Sequence, residues 1–373
     1  LIYSYSEAYQ ITNKEIYLDT INKTVKYLKR DMLAENGCFY SAEDADSEGV
    51  EGKYYFWNKK EIEEILSQEE YKSFQNIFHL QQQNKINLNL KDAENYDQIS
   101  EIKAKLLKAR EKRVRPDKDK KILTDWNGLM IAALAKAGFI IGNKEYISLA
   151  EKTANFLFNN MRDEAGRLRH SYFNGRTSNI DNLNDYAFLL WGFIELYQAT
   201  LKNEYLTKAE KITETMIDNF WDENSGGFYF TSNENEELFI RQKKANDSAI
   251  PSANSIAAYN LLKLANLLDD FDLREKVEQI LNSFSGEINS EPVNYIFLLL
   301  SYQYLENPFT EINIDGSLDS PKVVKLMDYM QKNYLPGTLL NFNHSAKESS
   351  FSICKNFVCG EKTESINDII SEI

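Results

Sequence analysis

The sequence predicts an all-α protein, an (α/α)6 toroid of antiparallel helix pairs in which most of the ring, though not all of it, is legible. Two observations carry that expectation: a turn motif that recurs at a regular spacing, and an alternation between helices apolar on one side and helices apolar all round.

The turn motif stands at Ala34-Glu-Asn-Gly-Cys-Phe-Tyr40, at Asp163-Glu-Ala-Gly-Arg-Leu-Arg169 and at Asp222-Glu-Asn-Ser-Gly-Gly-Phe-Tyr229. In each, a glycine (Gly37, Gly166, Gly227) supplies the left-handed backbone that ends a helix, and the residue after it can fold back as a short strand. Gly166 and Gly227 lie about sixty residues apart and Gly37 and Gly166 about twice that, as a toroid of helix pairs requires if a degenerate copy fills 68–113.

Segments 144–161 and 203–220 carry a single apolar stripe at helical spacing with Lys and Glu opposite, and are expected as outer helices. Segments 126–141 and 185–200 are apolar nearly all round and are expected as inner helices, buried on every side. Further pairs are readable at 1–11 with 15–33 and at 252–268 with 270–284, and Pro292 sits in the first turn of another inner helix over 291–303. After Pro308 the pattern changes to a strand at 312–316, a helix at 321–334 and a strand at 338–342. The expected organisation is a barrel over 1–308 and a small α/β appendage over 309–373, with short β-hairpins in the barrel loops.

The net charge of −14 and pI near 4.9 oppose nucleic acid or an anionic membrane as partner, since both would be repelled across much of the surface. No apolar run approaches the roughly twenty residues of a spanning helix, and no signal-peptide pattern opens the chain, so a soluble cytoplasmic protein is expected. Cys38, Cys354 and Cys359 are too few for a disulfide framework and suit a reducing compartment; Cys354-x4-Cys359 reads as structural rather than as a redox or zinc motif. A start at Leu1, inside an amphipathic pattern, reads as a piece of a longer protein.

Inner helices of such a ring enter from one end, so the residues at their N-termini are expected to line one funnel. There stand Thr124-Asp125-Trp126-Asn127-Gly128, Asn184-Asp185-Tyr186 and the segment Asn246-Asp247 to Ser255. They read either as helix caps, for which Asp, Asn, Ser and Thr are the preferred residues, or as a ligand site floored by helix N-termini. The stretch Ser41-Ala-Glu-Asp-Ala-Asp-Ser-Glu-Gly49 crowds acids ahead of an aromatic segment. It imitates the start of an EF-hand, but Tyr55 stands where the bidentate carboxylate is needed, so no metal is expected. It reads either as a solvated acidic loop or as paired carboxylates for acid/base work through Asp44 and Asp46. No phosphate loop, nucleophile elbow or metalloprotease helix is present, and no cofactor is expected.

The candidate acid/base residues are therefore Asp44, Asp46, Asp185 and Asp247, with Glu43, Lys121, Trp126, Asn127, His170, Tyr186, Ser252 and Asn254 as candidate ligand residues. Of the histidines, His170 alone is placed to reach the funnel, whereas Trp57, Trp191 and Trp221 read as core.

Four blocks resemble a known family: Ser41 to Gly49, Arg115-Pro-x-x-Asp-x-Lys-Ile-Leu-Thr-x-Trp-Asn-Gly-Leu-Met130, Asn184-Asp-Tyr-Ala187, and Asp247-x-Ala-Ile-Pro-Ser-x-Asn-Ser255. Their order is similar to that of the spermatogenesis-associated protein 20 or YyaL family. The resemblance implies a barrel similar to six-hairpin glycosidases and N-acylglucosamine 2-epimerases, together with an N-terminal thioredoxin-like domain that these residues do not include. Asn246 and Ala253 depart from the family pattern. The expected function is a carbohydrate-active or sugar-binding barrel, an isomerase or hydrolase acting on a sugar-like small molecule. The competing expectation is a non-catalytic barrel that presents a ligand or client to the thioredoxin-like domain.

Overall fold

In the computed structural model, which describes residues 1–79, 86, 88–90, 100–233, 240–344 and 348–373, the chain forms two compact units. One comprises Leu1–Phe39 with Lys121–Ile373, and the other Tyr40–Lys120.

The first unit opens with α1 (Ile2–Thr12) and α2 (Glu15–Tyr27), the latter running into a π turn over Leu28–Met32. The second unit holds α3 (Lys59–Ile65), α4 (Gln68–Ile77) and α5 (Ser100–Arg110), with two-residue strands β1 (Ala42–Glu43), β2 (Asp46–Ser47), β3 (Val50–Glu51), β4 (Phe78–His79), β5 (Asn89–Leu90) and β6 (Lys118–Asp119). Its helices close on a core of their own that includes Trp57, Ile62, Phe74, Ile102 and Leu106. The stretch expected as a degenerate helix pair at 68–113, part of which lies outside the described residues, thus belongs to a separately cored unit.

The first unit resumes with β7 (Ile122–Leu123), then α6 (Thr124–Ile140) and α7 (Lys144–Asn160), strands β8 (Ser171–Phe173) and β9 (Arg176–Thr177), α8 (Leu183–Thr200), α9 (Asn203–Phe220), α10 (Ala253–Leu268), α11 (Phe271–Ser290) and α12 (Ile296–Glu306). Neighbouring contacts run α1, α6, α8, α10, α12 in sequence, and each of the first four also packs on the helix that completes its pair: α2, α7, α9 and α11. This is the alternation read from the sequence: α8 buries residues on every face, whereas α7 and α9 bury one stripe. The arrangement is an incomplete (α/α)6 ring with α1, α6, α8, α10 and α12 inside.

Close approach of α6 and α8 depends on two glycines. A Cβ at Gly128 would lie 2.6 Å from the Phe188 carbonyl carbon, and one at Gly192 would lie 3.0 Å from the Gly128 oxygen. Only a bare Cα fits between two helix backbones at that separation.

The remaining residues form β10 (Thr310–Gly316), α13 (Pro321–Lys332), β11 (Thr338–His344), β12 (Ser350–Lys355), β13 (Val358–Cys359) and α14 (Ile366–Glu372). The sheet order is β11-β10-β12-β13, with β10 and β11 parallel across α13. Ile312, Ile314, Leu326, Phe342 and Phe351 fill its core, together with Leu201 from the turn after α8. The link from α13 to β11 bridges the gap between the terminal inner helices. The Gln10 amide of α1 donates to the carbonyls of Met330, Gln331 and Asn333, and the Tyr304 hydroxyl of α12 donates to the carbonyl of Pro336.

Cys354 and Cys359 form a disulfide. The left-handed turn at Asn356 (φ 50°) and Phe357 (φ 63°) folds β13 back so that the two cysteines become direct cross-strand partners. Cys38 is free and buried. Among the described residues, no helix is long and apolar enough to cross a membrane.

Candidate functional site

The turn motif and the unusual residues at the inner-helix entries prove to be two halves of one device. The Asn127 Oδ1 in the first turn of α6 accepts the Phe39 N–H at 2.7 Å, and its Nδ2 donates to the Phe39 carbonyl at 3.0 Å. The Asn254 amide of α10 does the same to Phe228, at 2.8 and 2.9 Å. The Tyr186 hydroxyl of α8 accepts the Leu168 N–H at 2.9 Å and donates to Asp181 at 2.9 Å. Phe39, Leu168 and Phe228 each stand one or two residues after the glycine of their motif. Asn127, Tyr186 and Asn254 were expected to meet a ligand. Instead they are buried and bonded to backbone, fastening each return strand to the next inner helix.

Ser252 caps α10 by accepting the Ser255 N–H. Asp247 gives one carboxylate oxygen to the Ser252 N–H (3.0 Å) and the other to the Phe297 N–H (2.8 Å), joining the entries of α10 and α12. In the second unit, Asp44 and Asp46 are exposed; the Asp44 carboxylate accepts the Asp46 N–H at 3.1 Å, and Glu43 accepts the Tyr55 hydroxyl at 3.1 Å.

Two expected residues do meet. His170 precedes β8, and its Nδ1 lies 2.9 Å from Oδ1 of Asp185, which is fully buried in the first turn of α8. The other Asp185 oxygen accepts the Asn182 N–H and completes a capping box. Asp125, buried in the first turn of α6, joins them, with one ligand atom of each residue within 4.8 Å of the others. Burial raises the carboxyls of Asp185 and Asp125, while the hydrogen bond from Asp185 raises His170 against the opposing effect of its own burial. Lys121 acts on His170 electrostatically and lowers it. The Asn182 side-chain amide nitrogen also lies 3.1 Å from Nδ1, so carboxylate and amide meet at that one ring atom and its role follows the tautomer.

A second constellation escaped the sequence reading. Inside the ring lies a cavity of about 780 Å³ whose wall includes Tyr3, Trp126, Trp191, Tyr259, Phe297 and Tyr304. Trp126 is about half exposed, and Trp191, expected in the core, faces this bore. Four charged side chains also line it, one from each of the first four inner helices and alternating in sign: Glu7 of α1, Lys136 of α6, Glu195 of α8 and Lys263 of α10. Lys263 Nζ lies 2.9 Å from Glu195 Oε1, which also accepts the Tyr3 hydroxyl at 3.1 Å and the Trp191 indole N–H at 3.2 Å. Lys136 lies 3.4 Å from Glu7 and pulls on Glu195 as well. Burial opposes the Glu195 charge, but the two lysines and these donors overcome it and hold the carboxyl down at about 2. The signal was present in the sequence, because each of α6, α8 and α10 carries one charge deep in an otherwise apolar run.

Fold and site together define a helical ring with a charged, aromatic-lined bore. No family model matches the chain. Its sequence is similar to that of human spermatogenesis-associated protein 20, 29% identical over 392 residues, covering 91% of the chain and 50% of that protein. The mouse protein of the same name is 29% identical over 388 residues (90% and 49%), and an uncharacterized protein of Caenorhabditis elegans is 26% identical over 436 residues (99% and 59%). The chain thus spans about half the length of the curated relatives it matches. Among solved structures, it is similar to a GH76 alpha-mannanase of Bacteroides thetaiotaomicron (13% identity, TM-score 0.49, 94% of this chain and 79% of that one). A sugar epimerase from a ruminal bacterium is similar at 15% identity and TM-score 0.48, covering 76% of this chain and 57% of that one.

Proposed function

We propose that the ring binds a neutral, sugar-like small molecule in its bore. The observation that carries this reading is the combination of aromatic faces with paired charges in a cavity of about 780 Å³, within the range of roughly 300–1,000 Å³ typical of small-molecule sites. Aromatic rings take the C–H face of a pyranose, while carboxylate and ammonium groups bond its hydroxyls. Because the four charges pair with one another, the bore offers polar contacts without a net field, which suits an uncharged polyol better than a phosphate ester. Three donors converge on Glu195 Oε1, so Oε2 is the oxygen left to accept a ligand hydroxyl.

An isomerase reading would assign proton transfer to His170 with Asp185 beside it, a pair at the α8 entry that is not among the residues lining the bore. Asp247 spends both oxygens on backbone N–H groups, whereas the side-chain contacts of His170 fall on Nδ1. Partnership with a thioredoxin-like domain belongs to the same proposal, since the relatives are about twice as long as this chain.

Saturation-transfer NMR with a panel of neutral mono- and disaccharides tests the binding reading. At least one sugar is expected to bind at millimolar affinity or better and to lose tenfold or more with Trp126→Ala or Glu195→Gln. A panel in which nothing binds overturns the reading.

A further inference from the structure

We propose that the Cys354–Cys359 disulfide is an exchangeable redox couple, with Cys359 the sulfur attacked by an incoming thiolate and Cys354 the leaving sulfur. The two residues are direct cross-strand partners of the β12–β13 hairpin, and β13 is the edge of the sheet. Their exposures differ sharply: Cys354 is 5% exposed, whereas Cys359 belongs to an exposed strand. An external nucleophile therefore has the readier approach at Cys359.

Two further features suit exchange better than stapling. The bond joins residues only five apart in sequence, and a short loop restricts the unfolded chain least, so the bond stabilises the fold less than a long-range one would. The ladder that holds the hairpin, Cys354 to Cys359 and Lys355 to Val358, is backbone pairing, and the Phe357 ring packs on Phe271 with centroids 4.3 Å apart. Both oxidation states can share this frame, which keeps the thiols adjacent after reduction. The leaving sulfur is also provided for: the Asn313 amide of β10 donates to Cys354 Sγ at 2.9 Å and stands 3.9 Å from Cys359 Sγ. A hydrogen bond to a departing thiolate favours its departure.

With a dithiol as reductant, the first thiolate attacks Cys359 Sγ. The S–S bond breaks, its electron pair passes to Cys354 Sγ, and a mixed disulfide forms at Cys359. The second thiolate of the reductant then attacks its own sulfur in that mixed disulfide and releases Cys359 as a thiolate. Two electrons pass from the dithiol, which becomes a disulfide, and the two protons it gave up return to the cysteines.

The test uses the native, folded chain. Treatment with dithiothreitol followed by alkylation and mass spectrometry is expected to label both cysteines while circular dichroism stays unchanged. Removal of the reductant and addition of oxidised glutathione should restore the bond. Trapped early in the reaction, monothiol glutathione should be found on Cys359, and Asn313→Ala should slow reduction several-fold. A bond that resists reduction until the chain unfolds overturns the proposal, as does a glutathione adduct on Cys354 or a hairpin that melts when reduced.

Discussion

Replacing Lys263 with Met strips Glu195 of its nearest counter-charge inside the ring. The cost can be worked from the carboxyl itself. Glu195 is held at about 2 against an ordinary 4.5, and at ~1.4 kcal/mol per tenfold change in proton affinity this corresponds to about 3 kcal/mol of net stabilisation of the charged form. Breaking one partner of a buried pair typically costs about 3–5 kcal/mol, and Lys136, Tyr3 and Trp191 remain to hold Glu195, so the lower end of that range applies. Lys263→Met should lower stability in urea at pH 7 by about 3 kcal/mol. The pH dependence has a definite sign. A carboxyl depressed in the folded state stabilises above its ordinary value, and that stability is lost as pH falls from 4.5 towards 2. In Lys263→Met this acid-side loss shrinks, and Lys263→Met with Glu195→Leu should regain part of the deficit. A loss at pH 7 under about 1 kcal/mol, the scale of an exposed ion pair, would refute the account of a buried alternating network.

Gly128→Ala should cost more than about 2 kcal/mol in the same urea titration, because its Cβ would press on the Phe188 backbone rather than on a side chain that can move. Asn254→Ala removes three hydrogen bonds, two buried ones with the Phe228 N–H and carbonyl and a partly buried one to the Lys244 carbonyl, and should destabilise by about 2–4 kcal/mol; amide exchange should rise at Phe228 before it rises in α8. Burial raises Glu311 to about 7, so the stability its protonated form allows is lost as pH rises from the ordinary 4.5 through 7. Glu311→Gln should therefore leave thermal stability at pH 4 unchanged and raise it at pH 8. A variant that loses stability at pH 8 contradicts the assignment.

The ring was legible because its physical cause is written into the chain as periodicity. A one-sided stripe at 203–220 and an all-round apolar run at 185–200 have different burial requirements, and α9 and α8 meet them. The entry residues were legible as unusual but not in what they bond. Asn127 and Asn254 could be singled out by type, but their partners Phe39 and Phe228 are 88 and 26 residues away. Each partner stands just after a turn glycine, so pairing the repeat with the amides would have found the fastening. The bore was missed for another reason. Lys136, Glu195 and Lys263 sit singly in long apolar runs whose periodicity hides them, although a lone charge on a helix buried all round demands a partner on its neighbour. The stretch 68–113 has helix-length apolar patterns that imitate another pair, and nothing local in the sequence shows that Trp57, Phe74 and Leu106 close on one another. The cysteine pairing depended on consecutive left-handed residues at Asn356 and Phe357, a conformation rarely expected of phenylalanine.

Crystals soaked with a neutral disaccharide that binds in solution offer the most direct examination of the bore. Density is expected between Trp126 and Trp191 with a sugar hydroxyl on the free Glu195 oxygen. A saccharide seated outside the ring, with the bore holding solvent alone, contradicts the central claim.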